Sequence, residues 1–309
     1  MMCKDFNSMI QSTVDLNSKA FLKETIPVKK LIVGYKNQFD IDIKNYLKNV
    51  SEVKIFECEN TGYQFFFPYH IDGDSCFYEK LQKFDWYYMP WKWEHECSKK
   101  ILLGNEKVLE IGSGGLGFVE NLAKSGFDIT GLELNEDSIE KASKLGLKVL
   151  NESIQIHAVH NFENYDVVCS YQVLEHISEV SSFIKAQIDC LKKGGKLIIA
   201  VPNNNSFIKY SKGGLLNFPP HHMGLWNERS LRNLVNVFDV KVDKVLYEPL
   251  QKYHLDWFIQ STINEIIYRS KFLKWIFNFF KLRKLYVRIV NKIRIKIKGH
   301  TIMIIYTKV

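Results

Sequence analysis

Six cysteines are spread over 309 residues, and no two of them form a C-x-x-C pair. Cys3, Cys58, Cys76, Cys97, Cys169 and Cys190 therefore give a zinc site no support from spacing. Cys169 and Cys190 stand in apolar or helical surroundings and are expected to be buried thiols. No run of about eighteen apolar residues occurs, so no membrane-spanning helix is expected. The opening Met1-Met2-Cys3-Lys4-Asp5 has no apolar leader core, and the expected compartment is the reducing cytoplasm. Acidic residues are missing from the end of the chain. Ile266 to Val309 hold twelve Lys and Arg and no Asp or Glu, so the overall +8 leaves the first 265 residues at −4. The overall charge therefore does not imply a domain-wide nucleic-acid surface, because the positive excess belongs to one segment.

What is present is an ordinary globular composition, 46% hydrophobic and 25% charged, long enough for one large domain or two smaller ones. Residues 1–28 are weakly patterned and read as a loosely ordered arm. Residues 29–83 read as a small antiparallel module. Its strands are expected at Lys30–Gly34, Val53–Cys58 and Tyr63–Pro68, with a turn at Asn60-Thr61-Gly62. Phe84, Trp86, Tyr87, Tyr88, Trp91 and Trp93 follow. They read as packing between this module and the core, as a lid over a site, or as both, with a helix from Trp91 to Leu103.

The core then begins with Val108-Leu109-Glu110-Ile111-Gly112-Ser113-Gly114-Gly115-Leu116-Gly117-Phe118. An apolar strand runs into a glycine turn and then a helix start, where Gly112 and Gly114 allow a ligand close to the main chain. Ile129-Thr130-Gly131-Leu132-Glu133 gives a second strand ending in a carboxylate. Strand, glycine turn, helix, strand and acid is the pattern that binds an adenosine-containing cofactor, with the acid on the ribose hydroxyls. Further strands are expected at 147–150, 166–170, 196–201, 240–247 and 301–306, with a helix from Ser181 to Leu191 stopped by Lys192-Lys193-Gly194-Gly195. The alternation indicates a Rossmann-like, doubly wound α/β sheet of seven strands. Residues 84–250 with 299–309 form this core, and 251–298 are inserted before its last strand.

Four segments in order resemble the class I S-adenosylmethionine-dependent methyltransferases: VLEIGSGGLGF, GLELNEDSIEKA, YDVVCSYQVLEHI and LKKGGKLIIAVPN. A nicotinamide dehydrogenase would share the first two and leave the last two unexplained. The resemblance implies S-adenosylmethionine as cofactor. It places Glu110, Gly112, Ser113 and Gly114 at the methionine end and Glu133 on the ribose. Leu134, Asn151, Ser153 and Ile154 fall at the adenine, and Ser170, Tyr171 and Gln172 on the sulfonium side. Two positions depart from the family pattern. Leu116 stands where glycine is usual, with Gly117 one place late, and the chain reads as neutral near Ser153, where an acid is usual.

A narrower resemblance lies in Phe218-Pro219-Pro220-His221-His222-Met223-Gly224-Leu225-Trp226. It is similar to the PPHH-x-x-x-W segment of methyltransferases of sugar and surface-polysaccharide pathways, and implies methyl transfer to oxygen of a sugar or glycan precursor. The paired cysteines that many relatives carry in the front module are missing, so no metal is carried over. Removing a hydroxyl proton suits histidine. His221, His222 and His176 are the candidates for that base, each with a structural hydrogen-bonding role as its alternative. Glu175 and His176 offer two metal ligands, too few for a site.

Two other functions stay open: methylation of a quinone-like or other small lipid, and a non-catalytic cofactor-binding scaffold at the membrane. In the insertion, Lys271, Lys274, Lys281, Arg288 and Lys292 would share one face of a helix opposite Phe272, Trp275, Ile276, Phe279 and Phe280. Such a helix over 271–292 fits either an anionic membrane, at its inner face, or packing on the core or on a second subunit as in a homodimer. A nucleic-acid acceptor is disfavoured because no matching module accompanies the basic residues.

Overall fold

The computed structural model describes residues 9–84, 87, 89–211 and 214–309. The front of the chain carries β1 (Met9–Gln11), β2 (Lys19–Pro27), α1 (Val28–Phe39), β3 (Glu52–Cys58), β4 (Gln64–Phe67) and α2 (Ser75–Gln82). These strands pair antiparallel in chain order. The expected arm is therefore replaced, from residue 9 on, by two paired strands; residues 1–8 lie outside the described residues. Its pattern was hard to read because only Ala20 and Ile26 of β2 are buried, and a bulge between Leu22 and Glu24 breaks the alternation.

Lys30–Gly34 is also corrected, from strand to helix. Val28, Leu31 and Tyr35 are buried at helical spacing while Val33 is exposed, so the apolar triplet Leu-Ile-Val lies along α1. Trp86 and Tyr88 lie outside the described residues. Their neighbours Phe84 and Tyr87 pack on the front core, and Trp91 and Trp93 on the second core.

The core follows as α3 (Trp93–Ile101), β5 (Lys107–Ile111), α4 (Gly117–Lys124), β6 (Asp128–Leu132), α5 (Glu136–Lys144), β7 (Val149–Leu150), α6 (Ile154–His160), β8 (Tyr165–Tyr171), α7 (Val180–Cys190) and β9 (Leu191–Pro202). Next come β10 (Gly224–Leu225), α8 (Glu228–Arg232), β11 (Val240–Pro249), α9 (Leu255–Thr262), α10 (Lys271–Phe279), α11 (Arg283–Ile293) and β12 (Lys298–Lys308). The large sheet has the order β11-β12-β9-β8-β5-β6-β7. β5 to β9 run parallel and β12 is antiparallel to both its neighbours. Leu197 to Val201 of β9 are all buried, as a strand covered on both faces requires. The helix α7 ends at Cys190, one residue earlier than expected, and Lys192–Gly195 already form an irregular start to β9. Leu191 pairs with Tyr165 and Lys196 with Val167, and the residues between are bulged out.

Strand order, not strand direction, reverses between β5 and β8: β6 and β7 add on one side of β5 and β8 and β9 on the other, which opens a crevice at the carboxyl ends of β5 and β8. The antiparallel β12 brings its start to the same edge, since Thr301 pairs with Pro202 at the end of β9. The last residues of β11 lie there too, with Pro249 opposite Lys298. The small strand β10 leaves the large sheet and pairs with β4 of the front sheet. Trp226, which follows it, is fully buried and stacks on Tyr63 at 4.0 Å. That contact locks the histidine-bearing segment between the two sheets.

The insertion is not one continuous helix over 271–292. Lys281 adopts φ 49 between α10 and α11. The break lets Phe277, Leu282 and Val290 enter one apolar cluster with Ile259 and Ile263, which a straight helix would not bring together.

Candidate active site

β5 ends in a turn whose backbone is set by contacts on both sides. Gly112 takes φ 71, and a Cβ there would sit 2.5 Å from Val173 Cγ2. The amides of Gly112 and Ser113 both donate to Leu132 O, at 2.8 and 3.1 Å. Leu116 itself takes the left-handed conformation, φ 67, with its side chain fully buried. A left-handed non-glycine residue costs about 1–2 kcal/mol, and burial of the leucine offsets it. The late glycine also has a cause: a Cβ on Gly117 would lie 1.7 Å from the carbonyl oxygen of Pro90. Gly117→Ala is expected to push the loop off the 89–92 segment. It should cost about 2–3 kcal/mol, read as a fall of several degrees in thermal midpoint.

Glu133 ties this turn to the next strand. Its Oε2 accepts from Gly114 N at 2.6 Å, and its Oε1 from Leu134 N at 2.8 Å and Asn135 N at 2.9 Å. Glu110 is buried; its burial, then the nearby Glu133 charge, pushes its carboxyl well above the usual range. Glu110 Oε2 and Ser113 Oγ are buried without a hydrogen-bond partner among the described residues. Leu134 stands exposed at the rim, and Ser153 caps α6 by accepting from Ile156 N, with Ile154 buried behind it.

One cavity of about 1230 Å³ runs from this turn across to the front module. It exceeds the roughly 300–1,000 Å³ typical of a site for one small ligand. Glu110, Gly112, Ser113, Gly114, Glu133, Leu134, Ser153, Ile154, Tyr171 and Gln172 all line it. Two expected residues do not. Asn151 is exposed outside the cavity, beyond the end of β7. Ser170 is buried within β8, where alternation turns it away from the lining Tyr171. The reading of the Ser153 region as neutral is corrected by Glu152, which lines the cavity and accepts from His157 Nδ1 at 2.7 Å.

At the far end, His176, His221 and His222 meet. Ring centroids lie 4.7 Å apart for His176–His221, 4.9 Å for His176–His222 and 4.5 Å for His221–His222. His176 Nδ1 bonds to His221 O at 2.6 Å, and His222 Nδ1 to Asn217 Oδ1 at 3.2 Å. His221 uses both nitrogens, Nδ1 to Leu216 O at 2.7 Å and Nε2 from the Tyr87 hydroxyl at 2.9 Å. Burial pulls His176 down to about 4 and the other two well below the ordinary value, helped by their mutual proximity, so all three are neutral near pH 7. Glu175 beside them is buried and pushed up to about 8 by that burial.

The pattern within any single segment does not point to Glu94, Glu248, His254 or His300, which complete the wall. Glu248 is pushed up to about 7 by burial and by the charge of Glu94. The ordering of strands would have found two of them, because the end of β11 and the start of β12 reach the crevice edge.

A family model described as a methyltransferase domain matches residues 86–245, just over half the chain. The chain belongs to this methyltransferase-domain family. Its cofactor is S-adenosylmethionine, and the turn fits one: Glu110 Oε2 and Ser113 Oγ, buried side by side on the cavity wall, lie where an ammonium and a carboxylate can satisfy them.

Among curated proteins, the chain is 32% identical to the ubiquinone biosynthesis O-methyltransferase of Vibrio vulnificus over 122 residues, 38% of this chain and 52% of that one. It is 29% identical to the enzyme of the same name from Yersinia pestis over 107 residues, 33% of this chain and 44% of that one. The chain spans about half the length of these relatives. Among solved structures, a SAM-dependent methyltransferase from Archaeoglobus fulgidus aligns with TM-score 0.47 and 19% identity, covering 70% of this chain and 92% of that one. The 1,6-didemethyltoxoflavin-N1-methyltransferase of Burkholderia thailandensis aligns with TM-score 0.49 and 11% identity, covering 76% and 86%.

Proposed function

We propose that this methyltransferase moves a methyl group from S-adenosylmethionine to a hydroxyl oxygen of a small, hydroxyl-rich acceptor, a sugar or glycan precursor. The observation that carries this reading is a single cavity joining the Glu133-braced turn to the three histidines. When bound, the cofactor supplies an electrophilic methyl on a sulfonium. Glu133 takes the ribose hydroxyls, and Glu110, Gly112, Ser113 and Gly114 hold the methionine end. Leu134, Ser153 and Ile154 flank the adenine, and Tyr171 and Gln172 wall the sulfonium side.

In-line transfer needs the acceptor oxygen aligned and stripped of its proton. His221, with both nitrogens engaged, anchors the loop. His176 and His222 each commit Nδ1 to an oxygen, and we assign their Nε2 atoms to the acceptor hydroxyl. Gln172, Asn217, Glu248, His254 and Asn264 make this end of the wall polar, which suits a polyhydroxylated acceptor. The test is formation of S-adenosylhomocysteine with nucleotide sugars and glycan lipids, with mass spectrometry of the product. Turnover dependent on a sugar supports the reading, and turnover with catechols or quinols alone overturns its acceptor. The names of the curated relatives favour that second class.

Contact with an anionic membrane belongs to the same proposal. No helix among the described residues is long and apolar enough to cross a membrane. On α10 only Phe277 is buried; Phe272, Leu273, Trp275 and Phe279 are exposed beside Lys271 and Lys274. Exposed aromatics flanked by lysines suit a headgroup layer, at about 1 kcal/mol per lysine. The protein is expected to float with phosphatidylglycerol vesicles and not with phosphatidylcholine. The Lys271→Glu/Lys274→Glu double variant should lose most of that binding. Absence of the wild type from the anionic fraction would end the idea.

A further inference from the structure

We propose that His176, His221 and His222 form a binding site for a divalent transition-metal cation, and that an oxygen of the acceptor completes its coordination. The inference rests on reading this cluster as the acceptor end of the cavity, and it replaces direct proton abstraction by an imidazole with activation of the hydroxyl on the cation.

Three observations carry it. One ring nitrogen from each histidine lies within 4.8 Å of the others, the one such grouping of three found among the described residues. Ligation at about 2.0–2.1 Å would draw these nitrogens together by roughly 1 Å, a movement within reach of side chains on a short turn and a loop. Second, the Nδ1 atoms of His176 and His221 are held by backbone carbonyls, His221 O and Leu216 O, and that of His222 by Asn217 Oδ1. Such partners fix the tautomer and orient metal-binding imidazoles. On His221 the Tyr87 hydroxyl stands at Nε2, the place the cation would take, so loading turns that hydroxyl aside. Third, Glu175 is buried beside the cluster. Its Oε1 is 3.9 Å from His176 Nε2, and its Oε2 has no partner among the described residues. A buried polar oxygen without a partner is costly, and a water or acceptor hydroxyl held on a cation in the cluster would satisfy it.

Imidazole ligands favour zinc, iron, nickel or copper over magnesium, calcium and manganese, and Co²⁺ is a spectroscopic stand-in for zinc. Three protein ligands with an open position is the arrangement of a metal that meets substrate. A cation here would bind a hydroxyl oxygen and lower its pKa, as it does for water. The proton would pass to solvent water, the oxygen would form its bond to the methyl as the sulfur–methyl bond breaks, and S-adenosylhomocysteine would leave as the neutral thioether. Neighbouring hydroxyls on the acceptor could chelate it.

The test uses the full chain, stripped with a chelator and titrated with Co²⁺. Visible absorption and calorimetry report binding. One saturating equivalent is expected, with micromolar affinity. His176→Asn and His222→Asn should each weaken it by about 100-fold. Both variants should bind S-adenosylmethionine within about threefold of wild type, which also shows that they are folded. No saturable signal below about 1 mM, or equal affinity in the folded variants, overturns the site. Full turnover by the stripped protein overturns the cation while leaving methyl transfer in place. Saturable Co²⁺ binding that is lost in the variants supports the site even if no acceptor is methylated, an outcome that would count against the functional reading alone.

Discussion

Replacing Glu133 by alanine is expected to raise the dissociation constant for S-adenosylmethionine by about 100-fold or more. A hydrogen bond to a charged group contributes about 1.5–3 kcal/mol. Two ribose hydroxyls on one carboxylate therefore account for roughly 3 kcal/mol, and each 1.4 kcal/mol is tenfold. A second loss adds to the first. The same carboxylate accepts from Gly114 N, Leu134 N and Asn135 N, so its removal frees the turn that faces the methionine end. Glu133→Gln separates the two effects, since one amide oxygen can still brace the loop but accepts ribose bonds without the charge. Its affinity should fall between wild type and alanine. Isothermal calorimetry decides the matter, and an unchanged dissociation constant in Glu133→Ala would remove the ribose assignment.

That turn was legible in the sequence because its determinants are local. A continuous apolar strand, a turn and a helix of period 3.6 lie within twenty residues of Glu110, and Glu133 follows one crossover later. The departure at Leu116 and Gly117 is not local: burial of the leucine side chain offsets its left-handed backbone, and the carbonyl of Pro90 against Gly117 comes from a segment with no pattern linking it to the loop. The misread elements share one trait. Lys30–Gly34 is too short an apolar run to tell helix from strand, and β2 is held by main-chain pairing with few buried side chains.

The acceptor end was legible only as separate pieces. Leu174-Glu175-His176 follows β8, and His221-His222 arrives from a loop 45 residues later. What brings them together is tertiary: β10 pairing with β4 and Trp226 stacking on Tyr63. Neither contact has a signature in the local spacing. The same holds for Glu248 and His300, which reach the cavity only because β12 runs against its neighbours.

His222→Ala and His176→Ala should each lower kcat by about 100-fold or more, the scale of removing a group that activates the reacting hydroxyl. The affinity for S-adenosylmethionine should stay within about threefold, because neither side chain is assigned to the cofactor. His221→Ala is expected to behave differently. Its ring spans Leu216 O and the Tyr87 hydroxyl, so its loss should loosen the loop, lowering the thermal midpoint and raising KM for the acceptor together with the fall in rate. Restoring hydrogen-bonding shape with His221→Gln should recover stability more than turnover. The comparison of kcat, KM and melting across the three positions therefore separates contact with the acceptor from support of the loop. Full turnover in both His222→Ala and His176→Ala would show that the hydroxyl is activated elsewhere along the wall, with Glu94, Glu175 and Glu248 the first carboxyls to examine.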